Sequence, residues 1–123
     1  MQKTVLIVDD SAMIRHVVGQ IVKASGFRVL LAQDGQEGYD VAKDQLPDLV
    51  IMDVEMPTMD GIRATGLITS DPATSHIPVM IFTSLGGEDD MKRAREAGCR
   101  GILNKPICKE TLQSTLRDLF TDQ

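Results

Sequence analysis

The stretch LVIMDVEMPTMDG, residues 49–61, decides the fold. Leu49, Val50, Ile51 and Met52 follow one another without polar alternation, the pattern of a strand buried on both faces. A charged residue, Asp53, closes the run, and Pro57 and Gly61 mark the loop that follows. A doubly covered strand implies a parallel sheet with helices on either side. A carboxylate at its far end then stands where such sheets open to ligands.

Four further runs read as strands: residues 5–8, 27–32, 79–82 and 101–103. Helical patterns fill the intervals. Ser11 is placed to cap a helix whose Ile14, Val17, Val18, Ile21 and Val22 share one face, with Gly26 as its stop. Tyr39, Ala42 and Leu46 recur at helical spacing over residues 36–45, before Pro47. A third helix is expected over residues 62–70. The next opens on Glu88, Asp89 and Asp90, acids that suit a helix N-terminus, and ends at Gly98 with only a thin apolar face. Leu112, Leu116, Leu119 and Phe120 stripe the last, residues 109–121. Strand and helix alternate five times, which predicts an α/β, flavodoxin-like (βα)5 fold: a doubly wound five-stranded parallel sheet of order 2-1-3-4-5.

A chain of 123 residues suits one domain, 1–123. With 42% apolar and 25% charged residues, it matches a soluble protein, and no apolar run approaches bilayer thickness. The N-terminus carries no secretory pattern, so no membrane association and a cytoplasmic location are expected. Cys99 and Cys108 are too few and too oddly spaced for a metal knuckle and read as free thiols. A net charge of -5 argues against direct nucleic-acid binding and favours a protein partner or a metal-accompanied anion.

The strand ends carry the chemistry. Asp9 and Asp10 follow the first strand, Asp53 the third, Thr83 and Ser84 the fourth, and Asn104, Lys105 and Pro106 the fifth. In the order 2-1-3-4-5 these ends are neighbours. Taken singly, each has a plain structural reading: a turn-forming Asp, a helix cap at Asp10 and Ser11, a strand Thr, a solvated Lys. Together they describe a site. Three carboxylates at ~4 Å in an effective dielectric of ~20 repel by about 4 kcal/mol per pair, so a cation belongs among them. A hard oxygen set without His or Cys suits Mg²⁺, which keeps several waters and binds through one or two carboxylates plus a phosphate. Lys105 adds a point charge and Thr83 a hydroxyl donor. No GxxxxGK[ST] or GxGxxG occurs, which excludes the usual nucleotide cradles. Asp53, ending the central strand, is the candidate nucleophile for an acyl phosphate.

The segments VLIVDDS (5–11), PDLVIMDVEMPTMDGI (47–62), IPVMIFTS (77–84) and EAGCRGILNKP (96–106) closely resemble the receiver domain of two-component response regulators, including the single-domain chemotaxis type. The resemblance covers essentially the whole chain. It implies that Asp53 is the phosphoacceptor, that Asp9, Asp10 and Asp53 hold Mg²⁺ with the Val54 main-chain carbonyl, and that Thr83 and Lys105 contact the phosphoryl group. It also implies a cis bond between Lys105 and Pro106. The donor would be a histidine on a sensor kinase or phosphotransfer protein, since His16 and His76 read as surface or packing residues. The signal would pass to a downstream protein or a fused output domain.

Three positions depart from the family pattern. Ile102 stands where an aromatic switch residue is frequent. Glu55 places an extra acid two residues beyond Asp53, where it would modulate phosphate lifetime, and Leu85 follows Thr83 by two and would shield the phosphate. Gly86 and Gly87 make the segment after Thr83 easy to move, so helix four and its flank, with Met91, Arg95, Ile102 and Lys109, are the expected output face. Two other functions compete. An aspartate-nucleophile phosphohydrolase would use Glu55 as its second acid but needs Thr or Val at Pro57. A flavin module would need a phosphate loop where Asp9 and Asp10 repel phosphate.

Overall fold

A computed structural model describes residues 2–56, 59–84 and 88–121. Along it run β1 (Thr4–Val8), α1 (Ala12–Ala24), β2 (Arg28–Ala32), α2 (Gly35–Gln45), β3 (Leu49–Asp53), α3 (Gly61–Ser70), β4 (Val79–Thr83), α4 (Glu88–Glu96), β5 (Gly101–Asn104) and α5 (Lys109–Thr121). The strands form one parallel sheet in the predicted order β2-β1-β3-β4-β5. Pro57, Leu85, Gly86 and Gly87, to which the sequence assigns loop and shielding roles, lie outside the described residues.

The period-two geometry of a strand sorts its side chains onto two cores. Leu6 and Val8 of β1, Val50 and Met52 of β3 and Ile81 of β4 meet Ala42, Ile68 and Ala94 of α2, α3 and α4. Val5, Ile7, Leu49, Ile51 and Phe82 face the other way, onto Val18 and Val22 of α1 and Leu112 and Leu116 of α5. Each fully buried Val, Leu or Ile contributes roughly 1.5–3 kcal/mol. The sheet is therefore held from both sides, and its carboxyl edge is a fixed rim.

Ser11 caps α1 as expected, and Asp34 and Asp60, which the sequence reading did not assign as caps, do the same for α2 and α3. Ser11, Asp34 and Asp60 side chains accept the N–H groups of Ile14 (3.2 Å), Glu37 (2.8 Å) and Arg63 (2.8 Å), fixing where α1, α2 and α3 begin. Gly26 and Gly98 both take φ of 95°, as the stops after α1 and α4 require.

Several expectations need correction. Val17 does not join the buried stripe of α1. It is 40% exposed, because the burying pair is Val18 and Val22, one position round the helix. Leu46 is 51% exposed: it leaves α2 in the left-handed conformation (φ 49°) ahead of Pro47. β2 is not covered like the inner strands. It lies at the sheet edge with Arg28 and Leu31 exposed, and Phe27 sits before it, its ring tilted against Phe120 with centroids 5.2 Å apart. Finally, β3 and β4 each run one residue further than the apolar runs, so Asp53 and Thr83 are themselves strand residues. Among the described residues, no helix is long and apolar enough to cross a membrane.

Candidate functional site

Register brings the strand-end residues together. Val8 pairs with Met52, and Asp53 with Phe82, so Asp9, Asp53 and Thr83 stand side by side at the rim. Asp9, Asp53 and Thr83 are all buried, at 1%, 2% and 5% exposure, whereas Asp10 is open to solvent. Asp9, Asp10 and Asp53 each offer a carboxylate oxygen within 4.8 Å of the others.

Lys105 enters from the end of β5, where its N–H donates to the Thr83 carbonyl (2.9 Å), and its bond to Pro106 is cis as expected. Its ammonium donates to Asp53 Oδ1 at 2.9 Å and lies 3.3 Å from Asp9 Oδ2, above the Phe82 ring at 5.1 Å. Burial alone would lower the Lys105 pKa, but Asp53 and Asp9 outweigh it and hold the ammonium above the ordinary lysine range. Asp53 moves the other way from a typical ion-paired acid. Its burial, helped by the charge of Asp9, pushes its carboxyl up despite the Lys105 bond.

One lysine does not complete this cluster. Asp9 Oδ1 accepts the Ser11 N–H at 2.9 Å, but buried Asp9 Oδ2 has no hydrogen-bond partner, the Lys105 contact being an ion pair without hydrogen-bond geometry. An orphaned buried carboxylate oxygen is costly, and a hard cation among three carboxylates removes the cost. The residues present fit such an ion. The Val54 carbonyl, expected as a further ligand, accepts the Gly61 N–H at 3.0 Å. One of its lone pairs is thus engaged, and the carboxylates are the stronger donors.

Three features escaped the sequence reading. Gly61 does more than turn the loop. A Cβ there would fall 1.8 Å from the Asp53 carbonyl oxygen, so α3 starts hard against the backbone of the site. Arg15, one turn into α1, donates from Nη1 to the Asp9 carbonyl at 2.7 Å and braces that strand end. The Ser84 hydroxyl donates to Glu55 Oε1 at 3.3 Å, joining the tips of β3 and β4 beside Asp53. Ile102, half-buried, lines a small cavity with Thr83 and Met91. A larger cleft of about 240 Å³, lined by Lys3, His76, Arg100 and Phe120 among others, lies where the strands begin, away from this chemistry.

The model of the response regulator receiver domain matches residues 5–117. The chain belongs to the response regulator receiver domain family. The polar-differentiation response regulator DivK of Brucella anthropi is 33% identical over 122 residues, 99% of each chain. The chemotaxis protein CheY4 of Vibrio cholerae superposes with a TM-score of 0.92 at 30% identity, over 98% of this chain and 100% of that one. The receiver domain of the sensor histidine kinase PA1611 from Pseudomonas aeruginosa, described with a magnesium ion coordinated in its active-site cleft, has a TM-score of 0.89 at 27% identity, over 97% and 98% of the two chains. As a receiver domain, this is a signalling protein, and the buried aspartate between an acid pair and a lysine fits a phosphoacceptor role.

Proposed function

We propose that Asp53 takes a phosphoryl group from a phosphohistidine of a sensor kinase or phosphotransfer protein. An Asp53 carboxylate oxygen attacks phosphorus, the P–N bond breaks, and its electron pair leaves with the donor imidazole, which is protonated. The observation that supports this reading most is the position of Lys105, 2.9 Å from Asp53 and 3.3 Å from Asp9, inside a trio of acids. Lys105 orients Asp53 beforehand and then pairs with the added phosphoryl charge. Thr83, next along β4, supplies the hydroxyl that moves toward it.

Asp9, Asp10 and Asp53 would hold Mg²⁺, with the Val54 carbonyl contributing what its bond to Gly61 leaves free. Mg²⁺, when bound, neutralises charge on the phosphoryl oxygens and so lowers the barrier to transfer. Glu55, held by Ser84 at the mouth, modulates the lifetime of the product, and an unchanged lifetime in Glu55→Gln would return it to an ordinary surface acid. Residues 1–123 act as one cytoplasmic receiver domain whose α4–β5–α5 face, with Met91, Arg95, Ile102 and Lys109, controls a downstream protein or a fused effector. Beryllofluoride, which mimics the phosphoryl group, should bind the protein with Mg²⁺ and fail to bind Asp53→Asn. Equal binding by both proteins would refute the assignment.

A further inference from the structure

The two ends of α4 are anchored very differently. At its C-terminus, the Thr69 hydroxyl of α3 donates to the Ala97 carbonyl at 2.5 Å. Gly98, in its left-handed conformation, lies so close that a Cβ there would sit 3.1 Å from Thr69. The N–H groups of Ala97, Gly98 and Cys99 return to Arg93, Arg95 and Ala94, and Arg100 rejoins the sheet through Val79 at 2.7 Å. Ala97 and Cys99 also pack on the core.

Among the described residues, the N-terminal half has no such bonds to the rest of the fold. Among the described residues, the ion pairs from residues 88–93 stay within the helix, Arg93 to Asp90 and Lys92 to Glu96, and the first buried side chain is Ala94. Beneath this half lies a small cavity of about 10 Å³, bordered by Val54, Ile81, Thr83, Asp90, Met91 and Ile102. The loose end of the helix therefore stands over the residue that is to move, while the fixed end is tied to α3.

We propose that Thr69 is a positioning residue for signalling: its bond to Ala97 makes the C-terminus of α4 a pivot, so the phosphoryl group at Asp53 tilts the helix by its N-terminal half. This rests on the phosphoacceptor reading of Asp53. Thr83, drawn toward the phosphoryl group, alters the wall of the cavity, and Met91 with Ile102 resettles into the changed space. In this chain that resettling stands in for the aromatic switch that Ile102 replaces. A helix of nine residues is about 13 Å long, so a tilt of roughly 10° about Ala97 carries its first turn about 2 Å. An unpinned helix would instead slide as a whole, and the output surface would differ.

The test is amide hydrogen exchange on the full chain with Mg²⁺, with and without beryllofluoride, in the wild type, Thr69→Val and Thr69→Ser. In the wild type, the ligand should alter exchange over residues 88–93 and leave residues 97–99 unchanged. Thr69→Val should raise exchange at residues 97–99 roughly threefold to tenfold without ligand, the effect of losing one hydrogen bond. It should also spread the ligand response to those residues, whereas Thr69→Ser should restore the wild-type pattern. A wild-type response equal at both ends of α4, or a Thr69→Val pattern like the wild type, overturns the pivot. No response anywhere overturns the phosphoacceptor reading and with it the ligand-driven tilt, while the exchange of Thr69→Val without ligand still reports on the pin itself.

Discussion

Lys105 donates to Asp53 Oδ1 at 2.9 Å across the end of the sheet and is the one described cation that touches two of the three clustered acids. Burial raises the Asp53 pKa, so ionising this carboxyl in the fold is harder than in the unfolded chain. A raised acid contributes stability at low pH and loses it as pH climbs through its folded value. Without metal, Asp53→Asn should therefore be more stable than the wild type at neutral pH, with the gap closing as pH falls. Lys105→Met should be less stable at neutral pH by about 1–3 kcal/mol, since it leaves the acids without their cation. Denaturant titrations of both variants at several pH values check the pair.

Mg²⁺ should stabilise the wild type. At a hundred times its Kd, a ligand that binds only the folded state adds roughly 2.7 kcal/mol. The gain should vanish on chelation and be mostly lost in Asp9→Asn, which removes the orphaned oxygen that favours an ion. Thermal melts with and without Mg²⁺ give the answer.

Gly61→Ala should damage both fold and site. Its Cβ would overlap the Asp53 carbonyl oxygen at 1.8 Å and the carbonyl carbon at 2.7 Å, both backbone, with the buried Met52 side chain 2.9 Å away. A loss of about 3 kcal/mol or more is expected, with weaker Mg²⁺ binding in whatever protein folds. A stable variant with unchanged Mg²⁺ affinity would contradict this geometry.

The sequence made the sheet order and the rim legible because strict apolar runs and a cap residue such as Ser11 leave few alternatives. It was less informative where burial depends on neighbours. Val17 and Leu31 look like core residues in any window of sequence, yet one lies a position off the α1 stripe and the other on an edge strand. Arg15, Gly61 and the contact between Ser84 and Glu55 acquire their roles only through residues distant in the chain or across a turn. Thr69 is the extreme case, since its partner Ala97 is 28 residues away.

Asp71 gives a pH signature away from the rim. Its carboxylate accepts the Tyr39 hydroxyl at 2.6 Å and the Ala73 N–H at 2.9 Å, and lies 3.4 Å from Lys43, tying α2 to the end of α3. The Tyr39 bond, with that of Ala73, holds Asp71 below the usual carboxylate range. A lowered acid contributes stability above its unfolded value, and the contribution is lost as pH falls through the folded one. Between neutral pH and about pH 3, Asp71→Asn should thus lose less stability than the wild type. Parallel melts across that range decide it.

The central claim is that Asp53 carries the signal. The direct measurement is to phosphorylate the full chain with a small acyl phosphate and Mg²⁺, trap the acid-labile product and map it by mass spectrometry. The account predicts the phosphoryl group on Asp53, with no incorporation in Asp53→Asn and retained incorporation in Asp60→Asn. Phosphate on another residue of the wild type, or undiminished labelling of Asp53→Asn, would contradict it.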